Sequence, residues 1–357
     1  MNEQYFRPSF PRPRLSFPAK AGNPVTTVRW LLDRPLSRTM TLTLAISCVS
    51  LLPAAPALAL YPERPVTIMV PFAPGGANDV VVRLIQAPLA EALGQPIVIE
   101  NRGGAGGSIG IGQVAHARPD GYTLLMAASG FAVNPSLYAK VPYDPLQDFA
   151  QVAELCVFPI VYTVRPDMGV NTLGELIAQA RAKPGALNYS TPGLGTVPHL
   201  ATELLKLDTG VDMVHVSYPG AAPAAQAILT KTVEIAAMSV AVALPLIEAG
   251  TLRGLAVTGR ERWPELPTVP TIAEAGVPAA SADAWQGIMA PAATSKDAVE
   301  RLAAALIEIV HRQDIRDKLQ RAGFRATGEG PQEFRERILR EVPKWKDVIG
   351  RAHIKAE

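Results

Sequence analysis

The sequence predicts two α/β lobes joined by a connection that crosses between them twice. Three observations carry this reading. Strand-length apolar runs alternate with helical ones, the mark of a parallel sheet covered by helices. A strand, a Gly-rich turn and a helix start follow one another in residues 66–80 (VTIMVPFAPGGANDV), and the same order returns in residues 187–207. Late in the chain, residues 285–290 (WQGIMA) read as a strand crossing back. With 357 residues, 48% of them hydrophobic, the chain can bury a core for about two domains.

In order, residues 65–70 form a strand and 80–93 (VVVRLIQAPLAEAL) a helix kinked at Pro88 and ended by Gly94. A second apolar strand spans 97–100 (IVIE), and a Gly-rich turn leads from it into a helix. Asp120-Gly121 turns the chain into a third strand, 122–127, and residues 152–164 are long enough to leave the first lobe extended. Thr172 and Glu175 form a capping box for a helix over 173–182, which Pro184-Gly185 stops. Then come a strand at 187–190, the loop TPGLGTVP, and a helix over 199–207. Strands at 211–216, 233–238 and 252–258 alternate with helices at 221–230 and 244–249. Amphipathic helices over 299–311, 315–322 and 331–349 finish the chain, the first capped by Ser295 or Thr294. The expected division is 1–59 as an N-terminal extension and signal, 60–160 with 284–357 as the first lobe, and 161–283 as the second.

Residues 1–59 stand apart. They carry seven Lys or Arg against two acidic residues, which leaves 27 basic against 30 acidic in the rest, so no basic face for nucleic acid is implied. Arg34 and Arg38 precede an apolar run, 40–52, and Ala57-Leu58-Ala59 has the small-x-small form of a signal-peptidase site. Export to the periplasm with cleavage after Ala59 is the expectation. The alternative, a membrane anchor, would need a longer apolar run than this one, which Pro53 and Pro56 follow. The Pro- and Arg-rich start, 1–39, is unlike an ordinary signal and fits either a translation start at or near Met40 or a long n-region. Cleavage would leave Cys156 as the only cysteine; set in an apolar run, it reads as a small buried hydrophobe.

A glycine turn at a strand-to-helix junction leaves backbone N–H groups pointing outward, where the helix dipole favours an anion. Several competing chemistries fail on the residues. Gly110-x-Gly112-x-x-Ala115 partly matches a dinucleotide fingerprint, but its glycines fall in or at the start of a helix and no acidic residue ends a second strand; a tight turn and close packing explain them. The histidines show no metal-ligand spacing, and no serine sits in a nucleophile elbow, so no metal, cofactor or catalytic residue is expected. Asp79, in the first helical turn, reads as a cap, with a side role in meeting an ammonium on a ligand. His199 reads as a ligand donor or an ordinary loop residue, and Trp285 as an interlobe packing residue or a stacking surface. Arg102 and Arg165 read as solvated surface cations.

The motifs FAPGGANDVVVR, VIENRGGAGGSIGIGQVAHARPDGYTLL, NPSLY, VPYDPLQDF, HVSYPGAAPA, LRGLAVTGRERWPELPTVPTIAEAG and WQGIMAPA, taken in order, resemble the substrate-binding proteins of tripartite tricarboxylate transporters, the Bug family. The likeness covers nearly all of residues 61–350. It implies a two-lobed periplasmic-binding-protein fold of the second type, with two Rossmann-like domains, closing on a small carboxylate: a di- or tricarboxylate, an acidic amino acid or an aromatic acid. It also implies a ligand gripped by Phe72, Ala73, Pro74, Gly75, Gly76, Ala77, Asn78 and Asp79 from one lobe. Ser190, Thr191, Gly193, Gly195, Thr196 and His199 would serve from the other, with Ser129 and Asn134 lining the cleft. Asn78, Pro219 and Met238 depart from the family pattern, which bears on which acid is bound. The partners expected are the membrane permease subunits, or a sensor kinase if the receptor reports rather than transports; a carboxylate-processing enzyme is the third class. A monomer is expected.

Overall fold

The computed structural model describes residues 61–356; the expected signal segment and its cleavage point lie outside them. One sheet runs through the molecule in the order β2-β1-β3-β9-β4-β7-β5-β6, with β8 and β10 also pairing to β4. In its first half β1 (Val66–Val70), β2 (Ile97–Asn101) and β3 (Thr123–Ala128) are parallel. In its second half β5 (Asn188–Thr191), β6 (Val214–Ser217) and β7 (Ile235–Ser239) are parallel. The inner strands β1, β3 and β7 are buried almost throughout and read as unbroken apolar runs, whereas the outer β2 and β6 are partly exposed.

The halves are joined by β4 (Phe149–Val164), which is antiparallel to β9 (Asp283–Pro291) as far as Pro159. From Ile160 onward β4 pairs instead with β7 and with β8 (Arg253–Val257). Proline has no N–H to donate, so a change of partner beside Pro159 sacrifices little of either ladder. The return crossing expected at 285–290 is β9, wedged between β3 and β4.

Helix α1 (Ala77–Leu93) begins three residues earlier than the periodicity predicts and continues through Pro88 as one helix. It is followed by α2 (Ser108–Ala115) and α3 (Gly130–Leu137), the latter a helix that the Pro-containing stretch GFAVNPSL conceals. In the second half come α4 (Leu173–Ala182), α5 (Val197–Thr209), α6 (Ala221–Leu229) and α7 (Val240–Glu248). The chain closes with α8 (Lys296–His311), α9 (Gln313–Arg321), β10 (Arg325–Glu329) and α10 (Pro331–Arg351). The short β10, which has no apolar alternation, pairs with β4.

Local cap chemistry survives into the structure. Thr172 Oγ1 accepts from Glu175 N–H at 3.1 Å, and Glu175 Oε2 reaches back to Asn171 N–H at 2.7 Å, one residue beyond the expected partner. Ser295 caps α8 through Ala298 N–H. Cys156 is fully buried in the first-half core and burial drives its thiol pKa upward, as its apolar neighbours in sequence suggest. Arg165 departs from expectation: only 15% of its side chain is exposed. It donates to the carbonyls of Ile228 at 3.0 Å and Val233 at 2.8 Å, fastening β4 to the turn after α6. Trp285 is fully buried, stacked edge-on to Phe334 with Nε1 donating to Glu341 at 2.7 Å, so it has no free face for a ligand. Among the described residues no helix is long and apolar enough to cross a membrane.

Candidate functional site

The first jaw is the loop between β1 and α1. Residues 73–77 are exposed, whereas Asn78 and Asp79 are buried. Gly76 stands at the N-cap and offers no side chain. The first amide of α1 to find a helical partner is Val80, 3.0 Å from Gly76 O, so the N–H groups of Ala77, Asn78 and Asp79 project from the helix end. Gly75 turns the chain at φ +81°, a conformation that L side chains adopt only with strain.

Asp79 is fully engaged inside this loop. Its Oδ2 accepts from Gly75 N–H at 2.9 Å and from Arg83 Nε at 2.8 Å, and its Oδ1 accepts from Asn101 Nδ2 at 3.0 Å. The hydrogen bond from Arg83, aided by those from Gly75 and Asn101, outweighs burial and lowers its pKa to about 2. The carboxylate is a permanently charged strut. Asn101 also donates to Phe72 O at 3.2 Å, holding the start of the loop. Asn78 Nδ2 donates to Met126 O at 3.4 Å. The glycine run behind the loop acts by close approach. A Cβ on Gly107 would press on the Phe72 ring at 3.2 Å, and one on Gly110 would meet Arg102 O at 2.8 Å.

The second jaw repeats the backbone plan between β5 and α5. Thr196 is the N-cap without a side-chain cap, Leu200 N–H is the first to reach back, 3.0 Å from Thr196 O, and Pro198 has no amide. The N–H groups of Val197 and His199 therefore face the loop. Its polar side chains bond internally: Ser190 Oγ donates to Ala224 O at 2.9 Å, and Thr196 Oγ1 to Gly193 O at 2.7 Å.

Beneath this jaw lies a cluster that local sequence reading did not reveal. Gly195 N–H donates to His199 Nδ1 at 3.1 Å, which leaves the ring proton on Nε2. The His199 ring stacks on His215 at 3.8 Å, and His215 Nε2 lies 2.7 Å from Thr191 Oγ1. Tyr189 OH donates to Glu203 Oε1 at 2.5 Å, and Lys206 Nζ donates to the same oxygen at 2.9 Å. Burial lowers the pKa of His199 to about 4 and that of His215 to about 3, the second helped by the field of His199. Both rings are neutral at physiological pH, so the 4.0 Å from His199 Nε2 to Glu203 is no ion pair. Thr191 and His215 have the spacing of a nucleophile and a base, but Thr191 is fully buried and bonded within its own loop, at 3.3 Å from Gly193 O. The spacing His199, Glu203, Lys206 along one helix face signals part of this cluster; His215 comes from another strand and gives no local sign.

A continuous set of contacts links the jaws. Phe72 packs on Gly107; Asn134 on α3 donates to Gly106 O at 2.9 Å and Ser108 Oγ at 3.1 Å; and Leu137, one turn on, fills the space where a Gly195 side chain would stand. Ser129, at the start of α3, accepts from Trp285 N–H at 2.9 Å. The structure thus places Ser129 and Asn134 as buried ties beside the jaws. No lysine or arginine stands in either loop, and among the described residues no group of His, Cys, Asp or Glu could hold a metal.

Comparison with known proteins agrees with this architecture. The family model "Tripartite tricarboxylate transporter family receptor" matches residues 81–354. Protein BugT of Bordetella pertussis is 36% identical over 299 residues, covering 83% of this chain and 92% of BugT. The solved structure of R. palustris Rpa4515 with adipate is similar at TM-score 0.72 and 36% identity, over 83% of this chain and 100% of that one. MatC from Rhodopseudomonas palustris, solved with bound malate, has TM-score 0.69 and 34% identity over 81% of this chain and 100% of its own. The chain belongs to the tripartite tricarboxylate transporter receptor family.

Proposed function

We propose that this chain is an exported, non-catalytic receptor that holds a small dicarboxylate between its two jaws and delivers it to the membrane subunits of a tripartite tricarboxylate transporter. The observation that carries the reading is the pair of uncapped helix N-termini, α1 and α5, at the carboxyl ends of parallel strands in the two halves. Each presents outward amides with a favourable dipole for one carboxylate. The relatives solved with adipate and malate support a ligand with a carboxylate at each end.

Because the side chains of Asn78, Asp79, Asn134, Ser190, Thr191, Thr196 and His199 are held by internal partners, and the amides of Gly75 and Gly195 are spent on Asp79 and His199, recognition falls on the amides of Ala77, Asn78, Asp79, Val197 and His199 and on water they order. Asp79, already neutralised by Arg83, is unavailable to an ammonium, which favours dicarboxylates over acidic amino acids. Closure of the lobes 60–160 with 284–357 and 161–283 would bury the ligand and create the form the permease recognises. The test is thermal unfolding of ligand-stripped protein against a panel of dicarboxylates. A binder at a hundred times its Kd adds about 2.7 kcal/mol. A flat response across the panel would sink the proposal, and a response to aspartate or glutamate alone would reverse the assignment of Asp79.

A further inference from the structure

A cavity of about 270 Å³, none of whose lining residues belongs to either jaw, opens where the chain after β8, the head of β9 and helix α10 meet. Its walls carry four cations: Arg260, exposed at the rim, and Arg337, Arg340 and Lys344 from α10. Arg337 is paired with Glu154 and Glu341, Lys344 donates to Ser281 O at 3.0 Å and Arg340 lies 3.9 Å from Glu336, so Arg260 carries the least compensated charge among the described residues. Two carboxylates share the space. Glu341 is occupied, accepting from Trp285 Nε1 at 2.7 Å and Arg337 Nη1 at 3.3 Å. Asp283 is different: its Oδ1 is buried with no hydrogen-bond partner among the described residues. Burial pushes the Asp283 pKa up, against the fields of Arg337, Arg325 and Arg260.

A buried acceptor without a donor is costly, and several guanidinium and ammonium groups around one cavity favour anionic oxygens. The occupant that satisfies both has negative oxygens for the cations and one O–H for Asp283. We infer that this cavity binds a small oxyanion that carries its own proton, of the hydrogenphosphate class, at a site separate from the interlobe ligand. A fully ionised oxyanion of the same size, sulfate, meets the same cations but sets a lone pair against the Asp283 carboxylate.

Calorimetric titration of the ligand-stripped chain with inorganic phosphate at mildly alkaline pH, with sulfate at matched ionic strength, tests this. Phosphate should bind at least about tenfold more tightly than sulfate, since a site built around one hydrogen bond rejects the analogue lacking it. Arg260→Ala, a change at an exposed position, should weaken phosphate about tenfold by removing a charge-assisted contact. Asp283→Asn supplies a donor in place of the acceptor and should bring sulfate level with phosphate. Absence of phosphate binding, equal affinity for both anions in the natural chain, or binding indifferent to Arg260→Ala overturns the proposal. So does competition between phosphate and a dicarboxylate bound in the jaws, which would place the phosphate there. The dicarboxylate panel reads the jaws independently of these outcomes.

Discussion

The two jaws share one backbone plan and are braced by opposite electrostatics. The first is an exposed loop held from behind by an ionised carboxylate, Asp79, with Arg83 and Asn101. The second is a partly buried loop held by two neutral imidazoles, His199 and His215, stacked over a Tyr189–Glu203–Lys206 group. Asp79 is itself buried and keeps its charge because Arg83, Gly75 and Asn101 all donate to it and the Arg83 guanidinium is half exposed to water. The two imidazoles have no such set of donors, and burial holds them neutral. The same task, fixing outward amides at a helix start, is therefore done with different chemistry according to the partners each brace finds.

A methyl group added in each jaw has the largest expected effect. Gly195 combines φ +70° with a Cβ position already occupied by Leu137, so Gly195→Ala should destabilise by about 4 kcal/mol and abolish dicarboxylate binding. Denaturant unfolding and calorimetry would measure both. Acid separates the jaws next. The histidine pKa values are depressed, so their stabilising contribution is complete above the unfolded value near 6.5 and is lost as pH falls toward about 4 for His199 and about 3 for His215. The two histidines together should withdraw on the order of 3 kcal/mol between about pH 7 and pH 5. Buried Glu154, whose pKa is raised to about 7, opposes this by favouring the folded state as pH falls, so the histidine contribution is read as the difference between the natural chain and His215→Phe, which should remove about half of it. The first jaw's Asp79 strut, with its depressed carboxylate pKa, is complete above the unfolded value of 3.8 and fails only as pH drops toward about 2, so it should not contribute over that range.

Smaller effects sharpen the picture. Asp79→Asn, which removes the charge but keeps the shape, should cost about 2 kcal/mol, measured by urea unfolding, and leave the pH slope between 7 and 5 unchanged. Gly75→Ala has the same backbone strain as the second-jaw change, φ +81°, but open space around it. Its cost should be about 1 kcal/mol, with dicarboxylate affinity reduced rather than lost. Equal losses for Gly75→Ala and Gly195→Ala would mean that the Leu137 contact at Gly195 does not distinguish the jaws.

Much of this protein was written locally. Alternating apolar runs fixed the order of strands and helices, because the inner parallel strands β1, β3 and β7 are buried almost throughout and the pattern is short-range. The caps at Thr172 and Ser295 and the helix-end glycines act within four residues and were legible for the same reason, as was Cys156 among its apolar neighbours. The ordered motifs pointed to the family that the comparisons then showed. Short-range pattern thus suffices for most of the elements, the two Gly-rich junctions and the receptor class. What braces those junctions is set by contacts across the folded chain. His215 reaches His199 from another strand, Leu137 reaches Gly195 from the other half, and Arg165 finds carbonyls 63 and 68 residues away. Helix α3 and strand β10 were invisible because Pro135 and the unpatterned run Arg325–Glu329 are stabilised by neighbours rather than by their own propensity. Local propensity names the parts, but which polar group is satisfied, by whom and at what depth depends on contacts between residues far apart in the chain.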